Sequence, residues 1–302
     1  MVSEDESALW AGYILKRMLP KPFFQKHKIA FFLRSNSNLY ESVNSSLISF
    51  SFYDLITPLE NHIKKLNETK PTILIAPAQV LKLLALNKDL NINPIKIISV
   101  AEVLEEDDKQ IIEKRFSLKV HQAYQCTEGF LAHTCKEGNL HLNEDIVYIE
   151  KDWIDEKSGR FSPIITDFNR KSQPIIRYKL DDILILEKQS CPCGSAFTRI
   201  KKIEGRCDDI LKMKTLENED YLLFPDFIRN AIISASTKLD DYIIIKENDA
   251  LNIYLNPIET KNDMDKTLSN LYKVHNLKVL KHNYFQYMPQ KLDKKRRRIK
   301  EI

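Results

Sequence analysis

Apolar residues recur at helical spacing over Glu4–Met18, where Leu9, Trp10, Tyr13, Ile14 and Leu15 share one side and Pro20 ends the segment. Two short apolar runs rich in aromatic residues follow, Lys28–Leu33 and Leu47–Phe52, and both read as strands. Tyr53–Asn67 returns to helical spacing. Thr72–Ala76 is a compact strand, and Pro77 opens a helix through Leu86, since the first helical turn leaves its N–H groups unpaired in any case. Lys96–Val100 is a further apolar strand, followed by a helix over Glu105–Phe116. Apolar strands alternating with helices predict an α/β fold, a mostly parallel sheet covered by helices on both faces.

The rhythm changes after Glu128. Asn139–Ile149, Phe161–Asp167 and Ile183–Glu187 read as short strands with no long helix between them, which predicts a small antiparallel barrel-like subdomain. A third pattern begins near Arg206. It runs strand Ile210–Met213, helix Pro225–Ser234, strands Tyr242–Lys246 and Leu251–Leu255, helix Asp263–Tyr272 and strand Lys278–Tyr284. These elements predict a small α+β C-terminal domain of about a hundred residues. The boundary falls in Gly205–Asp209, giving a large domain over 1–205 and a lid-like domain over 206–302.

Composition narrows the classes. A hydrophobic fraction of 43% with 29% charged residues is ordinary for a globular protein. No apolar run reaches the roughly eighteen residues of a membrane span, so no membrane partner is expected. The start, MVSEDESALW, is acidic, which argues against a secretory signal. The net charge of +4 arises largely from the run KLDKKRRRIK, with seven cationic side chains. Only six glycines occur, and no two stand close enough to form a phosphate-cradling loop. Five cysteines are few for a disulfide scaffold. They point to a reducing, cytoplasmic setting, where clustered cysteines bind metal or do chemistry.

Two cysteine clusters have ligand spacing. Cys135 and His141 flank the turn KEGN as a C-x5-H pair, and roughly fifty residues on Cys191 and Cys193 form the C-x-C of CPCG. Three thiolates and one imidazole make a tetrahedral zinc set, and four protein ligands leave no open position, so the ion is structural. The competing reading is unrelated thiols beside a surface histidine. His121 and His133 are alternative ligands, while Cys126 and Cys207 sit inside other motifs.

Those motifs carry nucleotide chemistry. In His121–Gly129, HQAYQCTEG, a Tyr-x-x-Thr-Glu turn after a strand offers an aromatic face, a hydroxyl and a carboxylate, groups that suit a base, a phosphate oxygen and a metal ion. Alone, the same turn reads as a core tyrosine with a capping threonine. It does not stand alone: Ser99–Glu102 ends the preceding strand at the edge where open α/β sheets bind ligands. Downstream come IIRYKLDD (Ile175–Asp182) and IEGRCDD (Ile203–Asp209).

In order and spacing these segments resemble the C-terminal two-thirds of the adenylate-forming (AMP-dependent synthetase/ligase) superfamily, nearest the branch of phenylacetate–CoA ligases and deazaflavin-cofactor adenylating synthetases. The resemblance implies that Ala101 and Glu102 line the adenine, Tyr124 stacks on it, Thr127 contacts phosphate and Glu128 holds magnesium. Gln125 stands beside them where the family more often has glycine, so the backbone there is less free to approach a ligand. The pattern Arg-Tyr-x-x-x-Asp matches at Arg177, Tyr178 and Asp182, with Asp181 where glycine is frequent. Asp182 would accept from the ribose hydroxyls, Arg206 would meet ribose or phosphate, and Asp208 would be the hinge. Lys294, after Pro289, matches a catalytic lysine, with Lys295 and Lys291 close behind; a solvated basic tail is the plain alternative. Zinc recurs at this place in some members of the branch, which supports the same four residues.

The resemblance implies an AMP-forming ligase. It would use ATP and magnesium to activate a small-molecule acid as acyl-AMP and pass the acyl group to a thiol such as coenzyme A; a homodimer is allowed. In one related branch an adenylyl group goes to a deazaflavin hydroxyl instead. The family's glycine-rich phosphate loop is not in these 302 residues, so a chain truncated at its N-terminus, and a non-catalytic adenylate-binding protein, are the second expectation. A zinc-containing nucleic-acid binder using the basic tail ranks last, because no recognition helix or stacking platform accompanies it. The acid is not legible: Tyr40, Phe50, Phe52 and Gln122 suit a pocket and suit a core equally.

Overall fold

The computed structural model describes residues 3–21, 24–33, 44–236, 238–288 and 297–302. They form two compact units. The first runs through Leu180 and includes Leu184–Ile203; the second holds Asp181–Ile183 and the described residues from Glu204 onward.

The first unit opens with α1 (Glu4–Met18), started by a capping box: Ser3 Oγ accepts from the Glu6 N–H at 3.3 Å, and the Glu6 carboxylate accepts from the Ser3 N–H at 3.1 Å. Five strands follow: β1 (His27–Leu33), β2 (Ile48–Asp54), β3 (Ile73–Pro77), β4 (Lys96–Val100) and β5 (Val120–Cys126). They pair in parallel in the order β2-β1-β3-β4-β5. Helices α2 (Glu60–Thr69), α3 (Ala78–Leu86) and α4 (Glu106–Phe116) cover one face, burying Leu66, Leu81, Leu84 and Ile112 against Leu74 and Ile97. On the other face Met18 and Leu19, at the end of α1, pack on Phe31, Ile73 and Ile98. The parallel sheet covered on both faces is therefore as expected. Tyr53 is not the start of a helix, however. Its ring stacks on Phe32 at 4.7 Å and is 1% exposed, so the strand runs on to Asp54 and α2 begins at Glu60.

The sheet then turns antiparallel without a break. β5 pairs with β6 (Gly129–Thr134), β6 with β7 (Leu140–Leu142), and β8 (Val147–Asp155) with β9 (Arg160–Asp167). β10 (Tyr178–Lys179), β11 (Asp182–Leu186) and β12 (Arg199–Arg206) complete a 12-stranded sheet ordered β10-β9-β11-β12-β7-β6-β5-β4-β3-β1-β2, with β8 on β9. The single strand expected over Asn139–Ile149 is interrupted by a turn. Fully buried Asn143 causes it: its carbonyl accepts from the Ile146 and Val147 N–H groups, and its amide donates to Phe130 O at 2.8 Å.

The second unit has a hairpin of β13 (Leu211–Lys214) and β14 (Asp220–Leu223), then α5 (Pro225–Ala235), β15 (Asp241–Glu247), β16 (Ala250–Asn256), α6 (Lys261–Val274), β17 (Lys281–Gln286) and β18 (Ile299–Glu301). Four strands form a sheet in the order β17-β16-β15-β18. The described end of the basic run is not a solvated tail. Arg298 is 6% exposed and 2.9 Å from Asp241, Arg297 pairs with Asp208 and Asp209, and β18 lies parallel to β15. Among the described residues no helix is long and apolar enough to cross a membrane.

Candidate functional site

Parallel pairing aligns the carboxyl ends of β3, β4 and β5: Pro77 is level with Val100, and Ser99 with Gln122. Just past β4 the chain reverses in a three-residue turn, the Glu102 N–H donating to Val100 O at 2.8 Å with Ala101 at φ 64°. A side chain in that left-handed region costs about 1–2 kcal/mol, so the surrounding packing imposes it. Glu102 Oε2 accepts from the Gln79 N–H at 3.3 Å, at the N-terminal end of α3 where partial positive charge favours a carboxylate.

Next to this turn, β5 and β6 form a hairpin whose closing pair is Cys126 with Gly129, so Thr127 and Glu128 are its two-residue loop. The pairing slips between Tyr124 and Gln125, a bulge that redirects the side chains leading into the loop. Thr127 is exposed, Glu128 half-buried and Tyr124 packed into the core at 8% exposure. Burial, and then the Glu128 carboxylate beside it, push the Cys126 thiol up to about 12. Gly129 allows the close approach, because a Cβ there would stand 3.1 Å from Leu131 Cδ2 and 3.5 Å from Asp167 Oδ2.

Arg170 holds this loop and carries no signal in the sequence, where it reads as one more cation in a polar turn. It is 7% exposed, donates from Nη2 to Thr127 O, lies over the Trp10 ring at 5.0 Å, and has Nε 3.9 Å from Asp167 Oδ2. Burial pushes the Asp167 carboxyl up, opposed by Arg170 and by the Asn169 and Arg170 N–H groups.

The remaining motif residues follow later in the chain. Arg177, exposed and at φ 47°, makes a bidentate pair with Glu150 at 2.9 and 3.1 Å. Asp182 opens β11 and belongs to the second unit. There Arg206 reaches Asp181 at 3.2 Å and Asp208 at 3.7 Å. Asp209 is buried and accepts from the Arg206 N–H at 3.0 Å and from Arg297 Nε at 2.9 Å. Gly205, at φ 151°, makes room for it, since a Cβ would stand 3.0 Å from Asp209 Oδ2. Lys291, Lys294, Lys295, Pro289 and Tyr40 lie outside the described residues.

The ligand atoms of Cys135, His141, Cys191 and Cys193 all lie within 4.8 Å of one another. Two matched turns present them: the Gly138 N–H donates to Cys135 O at 3.0 Å and the Gly194 N–H to Cys191 O at 3.1 Å, with φ of 87° and 79° at the glycines. Cys135 Sγ is 3.8 Å from Cys191 Sγ, and Cys193 Sγ is 3.5 Å from His141 Nε2. A regular tetrahedron with zinc–sulfur bonds of ~2.3 Å and zinc–nitrogen of ~2.0–2.1 Å has edges of about 3.8 and 3.5 Å. The sulfur spacing is far beyond a disulfide bond. His141 Nδ1 donates to Phe197 O at 3.0 Å, which leaves Nε2 its lone pair for a metal, and Asn139 Nδ2 donates to Cys191 Sγ at 3.1 Å. The donor set and its second layer fit zinc. His121 and His133 are not in the cluster; His133 Nδ1 bonds Asn143 Oδ1 at 2.7 Å.

No family model matches the chain. Protein CapK of Staphylococcus aureus is 30% identical over 247 residues, 76% of this chain and 52% of CapK, so the chain spans about half the length of that curated relative. A 2-hydroxyisobutyryl-CoA ligase in its postadenylation state, in complex with R3-HIB-AMP, superposes with a TM-score of 0.71 at 15% identity, over 98% of this chain and 69% of that one. An anthranilate CoA ligase in complex with anthranoyl-AMP superposes at 0.67 and 11% identity, over 97% and 62%. This chain has the adenylate-forming ligase fold. Within an adenylate-forming fold the parallel sheet, the antiparallel strands that continue it and the terminal α+β unit are all accounted for.

Proposed function

We propose that this chain binds an adenylate at the carboxyl edge of β4 and β5 and acts as an AMP-forming ligase. It would activate a carboxylic acid as acyl-AMP and pass the acyl group to a thiol such as coenzyme A. The observation that carries the reading is the strained turn at Ala101 beside the Thr127–Glu128 hairpin loop, both at the edge where open α/β sheets bind ligands.

Backbone groups freed at the Ala101 turn suit the adenine edge, with Gln125 beside them. Tyr124, mostly buried, supports the base from beneath rather than offering an open face. The exposed Thr127 hydroxyl suits a phosphate oxygen. Glu128, in the same two-residue loop, gives a hard oxygen donor that suits magnesium, which would neutralise phosphate charge when bound. The resemblance adds ribose recognition by Asp182, a ribose or phosphate contact by Arg206, and an ammonium from Lys294 that would stabilise charge developing at the α-phosphate. Zinc at Cys135, His141, Cys191 and Cys193 would tie two turns together and take no part in chemistry. Two structural neighbours, by their names, are ligases in complex with acyl adenylates, which supports the same chemistry here.

The test is AMP binding by calorimetry together with pyrophosphate exchange over a panel of aryl and short aliphatic acids. Glu128→Gln, Asp182→Asn, Arg206→Ala and Lys294→Ala are each compared with the parent. AMP binding with acid-dependent exchange that Glu128→Gln lowers by ~100-fold or more is expected. AMP binding without exchange favours the non-catalytic adenylate binder. Neither binding nor exchange overturns the proposal.

A further inference from the structure

Helix α6 and strand β17 of the second unit bring two tyrosines, a histidine and an aspartate together. His282 Nδ1 lies 2.7 Å from Asp265 Oδ1, and the Tyr284 hydroxyl donates to the same oxygen at 2.6 Å. On the other side of the ring, His282 Nε2 is 2.9 Å from the Tyr272 hydroxyl. Local periods explain the meeting. His282 and Tyr284 stand two apart on β17, opposite Leu251 and Ile253 of β16, and so project to the face that α6 covers. Asp265 and Tyr272 stand seven apart on α6 and share one side of it.

Burial raises the Asp265 carboxyl, but the bonds from Tyr284 and His282 outweigh it and hold the group below its ordinary value. An ionised carboxylate only accepts, so His282 Nδ1 carries a proton and two protons converge on one oxygen. The His282 side chain is 9% exposed and that of Asp265 52%, beside a surface depression also lined by Lys266 and Ser269. A protected imidazole and phenol thus meet a carboxylate that solvent reaches.

We infer that Asp265 Oδ1, His282 Nδ1 and Tyr284 Oη form a metal site distinct from the cysteine cluster, and that it takes a ferric ion. Two oxygen donors and an imidazole are a hard set that suits iron rather than a thiophilic ion. In an octahedral complex with bonds of about 2.0–2.1 Å, adjacent donors stand roughly 2.8–3.0 Å apart. The observed 2.6 and 2.7 Å need only a few tenths of an ångström of opening. A tetrahedral ion such as zinc would need about 3.3–3.4 Å.

The ion takes the place of both protons. The Tyr284 proton leaves to solvent as the iron–phenolate bond forms, and the His282 proton passes from Nδ1 to Nε2, where the Tyr272 oxygen accepts its hydrogen bond. Burial, and then the bond to Asp265, push the Tyr284 phenol above its ordinary value, so a trivalent charge is what can displace its proton. The remaining positions fill with water from the depression. The ion joins α6 to β17, an edge strand of its sheet among the described residues. The site shares no residue with the adenylate reading and does not depend on it.

Titration of ferric nitrilotriacetate into the full chain, followed in the visible range, tests the site. One ion per chain with an iron–phenolate charge-transfer band is expected. Tyr284→Phe should remove the band, and Asp265→Asn, at a half-exposed position that leaves the fold intact, should weaken binding about 100-fold or more. Tyr148→Phe, an exposed tyrosine of the first unit, should change neither. Resonance Raman of the loaded parent should show tyrosine ring modes, a readout that needs no variant. No visible band at saturating iron overturns the inference. A band that survives Tyr284→Phe, a spectrum with iron–thiolate modes alone, or unchanged affinity in Asp265→Asn overturns the assignment to these residues.

Discussion

Arg170 donates from Nη2 to the backbone carbonyl of Thr127, 43 residues earlier in the chain. The guanidinium is buried, with the Trp10 indole 5.0 Å from it and Asp167 3.9 Å from Nε. One side chain therefore ties α1, the end of β9 and the hairpin loop that carries Thr127 and Glu128. Arg170→Ala leaves the half-buried Asp167 without its cation and the Thr127 carbonyl without its donor. Urea unfolding should show a loss of about 3 kcal/mol. Arg170→Lys should recover only part of this, because an ammonium lacks the planar fork that both donates and stacks.

The spacing of Cys135, His141, Cys191 and Cys193 predicts bound metal in the protein as purified. Elemental analysis should find about one zinc per chain. Cys191→Ser should lose it, and chelation should lower the thermal midpoint by roughly 10 °C, since the ion joins turns far apart in sequence. Metal-free protein of unchanged midpoint would contradict this.

His121 gives stability a pH dependence of known sign. Burial first, and then Lys96 on β4, Lys119 before β5 and His133 on β6, push its imidazole from the ordinary 6.5 down to about 4, against a backbone bond at Thr134. The folded form keeps the ring neutral where the unfolded chain protonates it. The contribution is therefore whole above pH 6.5 and lost progressively as pH falls to about 4. Comparing unfolding free energies of the parent and His121→Gln across that window should show a steeper fall in the parent. Parallel curves would count against the buried neutral histidine.

Ala101, at φ 64°, is a place where a smaller residue should help. Ala101→Gly removes strain of about 1–2 kcal/mol and adds chain entropy of about 0.5–1, for a net gain of up to about 1.5 kcal/mol. Ala101→Val should cost about 2 kcal/mol, since a branched side chain suits that conformation least. Guanidinium denaturation of both variants measures the pair.

Much of this architecture was legible along the chain. The α1 span Glu4–Met18 and the strand Lys96–Val100 agree with the structure to the residue, because each carries an unbroken apolar period bounded by a cap, a proline or a polar turn. The strands β14 and β18 were not legible. Their residues, such as Asp220 and Lys300, are too polar to show a period, and only their pairing, β14 with β13 and β18 with the distant β15, makes them strands. The extension of β2 to Asp54 has the same cause, since Phe32 holds Tyr53 in the sheet.

By itself the sequence determined the local periods, the motif order and the ligand types of the cysteine cluster, because these depend on residue identity and short spacing. Tertiary structure alone decided that Arg170 reaches Thr127 and that Arg297 and Arg298 serve as internal ion-pair partners. Those relationships join residues tens of positions apart. Their energies come from burial and from the partner each polar group finds on folding, and neither exists until the chain is packed.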